Sequence, residues 1–540
     1  MHIVSLAAEC EPWAKAGGLG DVVDALARSL GRTGALDGPV DVFLPAYRSV
    51  RLPDGLAVET RTVEVPAPYG PPTTSHPGGA GRVEIRSVLT HGYRLRLVDF
   101  PAAFDRDGIY GHPDDAWRFG LLSRAALETL RIEARPIDLL HVHDWHAATA
   151  LVFRDRFHPG DPVLGRGRMA TLLTIHNLAY HGWVDRVDLP NLDLAPGDPV
   201  VAPDAAGIDL LWAGIERADL VNTVSPTFAA EALTPAVGFG LDPTLRWKAD
   251  QLDRAGRPRF FGILNGIDPA VWDPATDPDL AAAYSLAEPG GKAACRADLL
   301  GRVGFDPGDR GPVLAMIGRL DPQKGFDLLA EAAPRLLATG VRLVVQGSGD
   351  PALAEPFRAL ARRRPDRIVL NERFDRAMAR RIYAGCDLFL MPSRFEPCGQ
   401  GQMIALRYGT PPVVHRTGGL ADTVVDEYLQ PGAGTGFVFE HPTADGLVWA
   451  CEQALATLAD PAAWSRLVRR GMAVDYDWAS GPSAAYLAAA RRAISFATAP
   501  GASRRRPARR PAGSPGSATP AQRPGRRRAM SESADQDPRR

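Results

Sequence analysis

The 540-residue chain is predicted to be an α/β protein built from two doubly wound units. Three observations lead there. Short apolar runs alternate with amphipathic stretches of about ten to fifteen residues, the pattern of parallel strands joined by right-handed helical crossovers. The length exceeds what one hydrophobic core sustains. And the pattern cation-x-Gly-Gly-Leu-x-Asp occurs twice, in "KAGGLGDVV" (15–23) and "RTGGLADTVV" (416–425), each time where a strand should pass into a helix.

In chain order, "HIVSLAAE" reads as a buried parallel strand, followed by the first glycine turn and a helix over "DVVDALARSLGR" closed by Gly31. "VDVFLPAY" is the next strand, and the Pro/Gly-rich piece 66–81 a surface loop or hairpin connection. "IDLLHVHDWH", "MATLLTIHNL" and "ADLVNTVSP" are apolar runs ending in polar residues, as strands do where a doubly wound sheet builds its site. A second series is expected to open at about Phe260, with strands at "VLAMIGRL", "VRLVVQGSG", "RIVLNERF", "DLFLMPS" and "TPPVVHRTGG". Its helices are expected at "GFDLLAEAAPRLLATG", interrupted by Pro334, "PALAEPFRALARR", "DRAMARRIYAGC", "GQMIALRYG" and "LADTVVDEY". The predicted division is 1–259, 260–480, a C-terminal helix 481–499 that returns to the first domain, and a tail 500–540.

The net charge of −1 hides an asymmetry, because residues 501–540 hold eleven Arg and three acids. That tail has almost no large apolar side chains and is expected to be a disordered basic extension, a polyanion-binding arm being the alternative. The acidic remainder argues against nucleic acid as a partner. Cys10, Cys295, Cys386, Cys398 and Cys451 are scattered and odd in number, which fits a reducing, cytoplasmic setting. No signal peptide and no run of about 20 apolar residues is found, so no membrane association is expected.

Chemistry concentrates in a few loops. Glycine lets a backbone approach a ligand closely, and a helix N-terminus favours an anion, so the two turns could address one diphosphate from opposite sides of a cleft. "GRLDPQKGFDLL" (318–329) places Arg319 and Lys324 between a strand and a helix, where two cations suit a diphosphate leaving group. "SRFEPCGQGQMIALRYG" (393–409) holds Glu396 between Phe395 and Pro397, ahead of a helix opened by Gly399. That carboxylate is either a helix cap or an acid facing sugar hydroxyls and developing positive charge. In "LLHVHDWHA" (139–147), His141, His143, Asp144 and His146 could bind zinc in principle, but no further ligand cluster supports a metal. Asp144 is better placed to hydrogen-bond a polar substrate. His176, in "TIHNLAYHG" (174–182), is either a structural strand-end histidine or a cleft residue. "QGSGD" (346–350) is a weak match to a dinucleotide fingerprint, with no acidic ribose partner where one is expected.

Taken together, "KAGGLGDV", "HVHDWHA", "TIHNLAYHG", "VNTVSPTFA", "GILNGID", "GRLDPQKG", "SRFEPCG" and "RTGGLADTV" resemble bacterial glycogen synthase and plant starch synthase in family order, up to about residue 495. The resemblance implies the GT-B fold, two Rossmann-like domains facing a central cleft. It implies transfer of glucose from ADP-glucose to the non-reducing 4-OH of an α-1,4-glucan such as glycogen, with retention, no metal and no cofactor. Lys15 would contact the donor phosphates while Gly17 and Gly18 let the backbone come close; Arg319 and Lys324 would stabilise departing ADP. Glu396 would hold the glucose hydroxyls and His176 would sit beside the reacting carbon. Asp144 and Asn265 would line the cleft, Gly418 and Gly419 would present N–H groups, and Cys398, Gly399, Thr417, Glu9 and Asp21 are further substrate-binding candidates. The chain departs from many relatives in having Gln400-Gly401 after "EPCG" and Ile404 where some retaining transferases carry a second glutamate. Two other readings stay open on the residues alone. One is a retaining GT-B transferase with another nucleotide sugar or a small acceptor; the other is a non-catalytic sugar-nucleotide-binding scaffold.

Overall fold

The computed structural model describes residues 1–66, 81–198, 200–201, 206–373 and 375–497. Its first sheet uses β1 (Ile3–Leu6), β2 (Asp41–Pro45), β3 (Glu59–Glu64), β4 (Arg82–Thr90), β5 (Tyr93–Asp99), β6 (Leu139–His143) and β7 (Ala170–Ile175). A small antiparallel arm, β8 (Trp183–Asp185) with β9 (Gly207–Asp209), intervenes before β10 (Leu220–Thr223) and β11 (Phe260–Gly262) finish the sheet. The spatial order is β11-β10-β7-β6-β1-β2-β5-β4-β3. The strands from β11 to β5 run parallel, whereas β3, β4 and β5 form an antiparallel edge. β1, β2, β6 and β7 are buried along their whole length, because helices cover both faces, and this is why they read as unbroken apolar runs.

The second sheet is wholly parallel: β12 (Val313–Leu320), β13 (Arg342–Gly349), β14 (Ile368–Asn371), β15 (Leu388–Met391), β16 (Pro412–His415) and β17 (Phe437–Phe439), in the order β14-β13-β12-β15-β16-β17. The chain leaves the first sheet after β11 and comes back near residue 477, where Ile267 N–H donates to the Tyr476 carbonyl at 2.8 Å. The helix Pro482–Ala497 then lies on the first sheet, with Tyr486, Ala489, Ala490 and Ala493 buried in that core. Its anchors are polar as well: Asn222 Nδ2 reaches the Tyr486 hydroxyl at 3.3 Å, and Ser483 bonds Ser29 at 2.6 Å.

Several expectations are corrected. Phe260 does not open the second series; β11 pairs with Val221–Thr223 as an edge of the first sheet, so the first unit runs past residue 259. Pro334 does not interrupt its helix, which runs unbroken from Phe326 to Ala338. The buried face of Phe326, Leu329, Ala332, Ala333 and Leu336 holds the helix through the one backbone bond that proline cannot donate. The helix expected over "LADTVVDEY" is only Gly418–Thr423, because Val424 turns extended and Asp426 bridges to Gly436. Gly31 lies inside the helix Gly18–Arg32 rather than ending it. The helix after Glu396 begins at Gly401, with Gly399 two residues before it in the left-handed region. The glycines of "QGSGD" serve packing: a Cβ on Gly347 or Gly349 would meet the carbonyl oxygen of Gly318 or Leu320 at 2.3 and 2.5 Å. Of the predicted loop 66–81, residues 67–80 lie outside the described residues, as do 498–540, which include the basic tail.

Candidate active site

In a doubly wound sheet, ligands bind beyond the carboxyl ends of the strands where the winding direction reverses. In the first sheet that reversal lies between β1 and β6, and in the second between β12 and β15. The C-terminal ends of these four strands and the segments that follow them carry Glu9, Lys15, Gly17 and Gly18; Asp144; Arg319, still within β12, and Lys324; and Glu396. Topology alone therefore gathers most of the sequence-predicted residues at two facing crevices.

On the first unit, Glu9 is buried and fully engaged. One carboxylate oxygen accepts the N–H groups of Ala16 and Gly17 at 2.7 and 2.8 Å, and the other accepts the Tyr110 hydroxyl at 2.6 Å. It shapes the turn from beneath. Lys15 is held by Asp21 at 2.6 Å, with Glu11 at 3.9 Å. Burial pushes the Asp21 carboxyl above its usual range against the pull of Lys15. A Cβ on Gly18 would meet no atom within 4 Å, so the protein's own packing does not require glycine there.

Asp144 begins the helix Asp144–Phe157 with φ +55°, a left-handed conformation that Asp tolerates. Its Oδ1 accepts the His176 N–H at 2.6 Å, and the Asn177 N–H also bonds the carboxylate. Burial raises this carboxyl to about 7 in spite of those bonds. His176 Nε2 lies 3.0 Å from His143 Nδ1, and His143 Nε2 lies 3.2 Å from Ser5 Oγ. Burial lowers His141 and His176 to about 3, and His143 also falls well below the usual range, so all three are neutral near pH 7. The zinc alternative fails on geometry. His141 is taken by Thr174 at 2.7 Å, and the His146 ring stacks with Tyr110 and Phe119, 4.8 and 4.7 Å between centroids. Among the described residues no group of three or more His, Cys, Asp or Glu is placed to hold a metal ion.

On the second unit, Lys324 Nζ lies 2.7 Å from Glu396 Oε2, which also accepts the Ser393 hydroxyl at 3.0 Å. Arg319, the penultimate residue of β12, is exposed. Burial opposes its charge, but the Tyr180 hydroxyl, Asp321 and Glu396 outweigh that and raise its pKa. Asn265, two residues before Ile267 where the chain crosses between the units, donates its backbone and side-chain amides toward the Cys398 sulfur, while its own Oδ1 is buried without a partner. Burial pushes the Cys398 thiol up to about 12, so it is no nucleophile.

The second glycine turn corrects the expectation of two alike, open turns. Gly418 N–H is taken by the carboxylate of Glu231 at 3.1 Å, which also accepts Thr417 Oγ1 at 3.1 Å, and Gly419 N–H donates to the Glu396 carbonyl at 3.1 Å. A Cβ on Gly418 or Gly419 would lie 2.0 and 2.1 Å from the carbonyl oxygens of Glu396 and Cys398. These glycines seat one loop against another. They do not leave open amides.

Cross-cleft partners were missed by sequence reasoning. Arg376 pairs with Glu11 at 2.7 Å, Asn177 Nδ2 reaches Gln323 Oε1 at 3.5 Å, and Thr227 N–H donates to Asp422 at 3.1 Å. Only the polar ends of the motifs hinted at them; nothing in spacing pairs residues 146 to 365 positions apart.

Comparison with known proteins agrees with this architecture. The starch synthase catalytic domain family matches residues 2–247, and the glycosyl transferases group 1 family matches residues 311–457. A glycogen synthase of Anaeromyxobacter dehalogenans (strain 2CP-C) is 42% identical over 489 residues, covering 88% of this chain and 97% of that protein. One from Alkalilimnicola ehrlichii is 42% identical over 495 residues, covering 88% and 96%. The catalytic domain of starch synthase IV from Arabidopsis thaliana, solved with ADP and acarbose, superposes with a TM-score of 0.81 at 32% identity, covering 92% of this chain and 99% of that one. Sucrose-phosphate synthase from Thermosynechococcus elongatus shares the fold at 18% identity and a TM-score of 0.55. With both facing units matched and the identity sustained along nearly the whole length of its relatives, this chain belongs to the glycogen synthase and starch synthase family of glucosyltransferases.

Proposed function

We propose that this protein transfers the glucosyl group of ADP-glucose to the non-reducing 4-OH of an α-1,4-glucan, with retention at the anomeric carbon. The observation that carries the site assignment is the meeting of Lys324 and Glu396 at 2.7 Å, with Arg319 near the end of β12, five residues before Lys324, at the switch point of the second sheet. Breaking the bond between C1 and the β-phosphate oxygen leaves negative charge on the diphosphate and positive charge on the sugar ring. Arg319, Lys324 and Lys15 answer the first and Glu396 the second. The 4-OH attacks C1 from the face that ADP leaves, and its proton passes to the departing phosphate oxygen. The cations make a metal unnecessary in this reading, and ADP-glucose is consumed as substrate rather than held as a cofactor.

Beside the reacting carbon, a neutral His176 would act as a hydrogen-bonding group and not as a competing cation. Gly18, with open space above it, is where the first unit's backbone comes nearest the donor. Among the described residues no helix is long and apolar enough to cross a membrane. The test is a comparison of ADP-glucose with UDP-glucose, glycogen as acceptor, reading chain elongation and released diphosphate. Elongation from ADP-glucose is expected; release of ADP without chain growth would overturn the assigned acceptor.

A further inference from the structure

The loop between the helices Pro226–Glu231 and Asp242–Ala249 carries a bulky residue in an unusual conformation. Phe239 has φ +50° and is 37% exposed. A left-handed conformation is unfavourable for such a side chain, and residues held in one gather where the surrounding structure uses the strain. The loop's base is fixed: Gly238 N–H donates to the Thr234 carbonyl at 2.8 Å, Leu241 N–H to Gly238 at 2.8 Å, and Arg246 to the Leu233 carbonyl at 2.6 Å. Leu241 and Leu245 are buried behind it.

From that base the Phe239 ring crosses to the second unit. It meets Phe395 edge to face, with centroids 5.0 Å apart and planes at 64°. Phe395 directly precedes Glu396, packs against the first unit's core, and gives its carbonyl to Gln323 Nε2 at 3.2 Å. The helix leading into the same loop is itself fastened across the cleft, through Thr227 to Asp422 and Glu231 to Gly418. One segment of the first unit thus touches the Glu396 loop through Phe395 and holds the Gly418 turn, whose Gly419 N–H donates to the Glu396 carbonyl.

We propose that Phe239 is a positioning residue: its strained ring, braced on the first unit, holds Phe395 and so aims the Glu396 carboxylate at the sugar only when the two units are engaged. The proposal rests on the assignment of Glu396 made above. A bent or freed Phe395 would leave Lys324 and Ser393 to orient the carboxylate alone, and small misplacements of a reacting group are costly.

The test compares Phe239→Gly, Phe239→Tyr and Glu396→Ala with the wild type, measuring kcat, donor KM and melting temperature. Phe239→Gly is expected to lower kcat about tenfold, the scale of one lost aromatic pair, with donor KM little changed. Its melting temperature should change little, because the relief of positive φ offsets the lost ring contact. Phe239→Tyr should stay within about twofold of wild type, the ring contact being retained. Wild-type kcat in the glycine variant, equal losses in the tyrosine and glycine variants, or a melting temperature that falls with kcat would each overturn the proposal. If Glu396→Ala keeps wild-type turnover, the assignment of Glu396 fails and takes this one with it. If Glu396→Ala is inactive while Phe239→Gly is not impaired, only the role of Phe239 is lost.

Discussion

Lys324 Nζ and Glu396 Oε2 sit 2.7 Å apart, joining the loop after β12 to the loop after β15 across the switch point of the second sheet. In the proposed reaction the pair would set one charge for each half of the transition state, and a bound diphosphate would compete with Glu396 for the lysine. Lys324→Ala is expected to lower kcat by ~10² or more, the scale of losing one preorganised charge. The circular dichroism spectrum should be unchanged, because the lysine is partly exposed. Turnover near wild type would remove Lys324 from the mechanism.

Asp144 gives a pH signature. Its ionised form accepts the backbone N–H groups of His176 and Asn177, and burial raises its pKa to about 7. Activity should therefore rise with pH through about 7 as the carboxylate forms and fixes the His176 backbone. Stability runs the other way: the native state holds a proton here that the unfolded chain releases at its ordinary lower pKa, so this group's contribution falls as pH rises toward 7. In Asp144→Asn the acid limb of the kcat/KM profile should vanish. A limb that persists unchanged assigns it to another group.

Gly18 and Gly418 predict opposite outcomes from the same substitution. Gly18→Ala adds a Cβ in open space, so melting should hold while the donor kcat/KM drops by ~10², as for a misplaced ligand. Gly418→Ala forces a Cβ to within 2.0 Å of the Glu396 carbonyl oxygen at φ +43°, and should destabilise by roughly 1–3 kcal/mol or more. Paired thermal melts and donor titrations decide both.

Lys292 is half-buried, its ammonium turned inward to donate to Ala384 O, Tyr408 O and Thr410 Oγ1 at 3.0, 2.9 and 2.8 Å, tying three segments of the second unit together. Burial lowers its pKa to about 8. Between pH 8 and its ordinary value of 10.5 the unfolded chain binds a proton that the native lysine has released, so its contribution to stability rises with pH over that window. Lys292→Met should cost about 1–3 kcal/mol through stranded acceptors, and the gap to wild type should widen from pH 8 upward in chemical denaturation. A gap that narrows would contradict the linkage.

The strands and the loops that end them were legible because a buried parallel strand writes itself as an apolar run and stops where its polar site begins. "LLHVHD" and "VLAMIGR" are such cases, and both lie at switch points. Phe260–Gly262 was misread because three apolar residues carry no mark of which sheet they join. Pro334 misled because a long buried helix face outweighs one absent donor. The two glycine motifs look alike in sequence, yet Glu231 and the Glu396 carbonyl occupy the second, and only folding brings those groups there. The same holds for Arg376 with Glu11 and for Phe239 with Phe395, pairs set by tertiary approach and invisible to periodicity.

The polypeptide passes between its halves on two neighbouring paths, after β11 and again beside Tyr476, where Ile267 touches the returning segment. A lone tether would let the halves swivel and twist about each other. Two parallel pins leave one easy rotation, like a door on its hinge line. Any rotation of the halves about that line would keep the loops after β1 and β12 in the same register to one another.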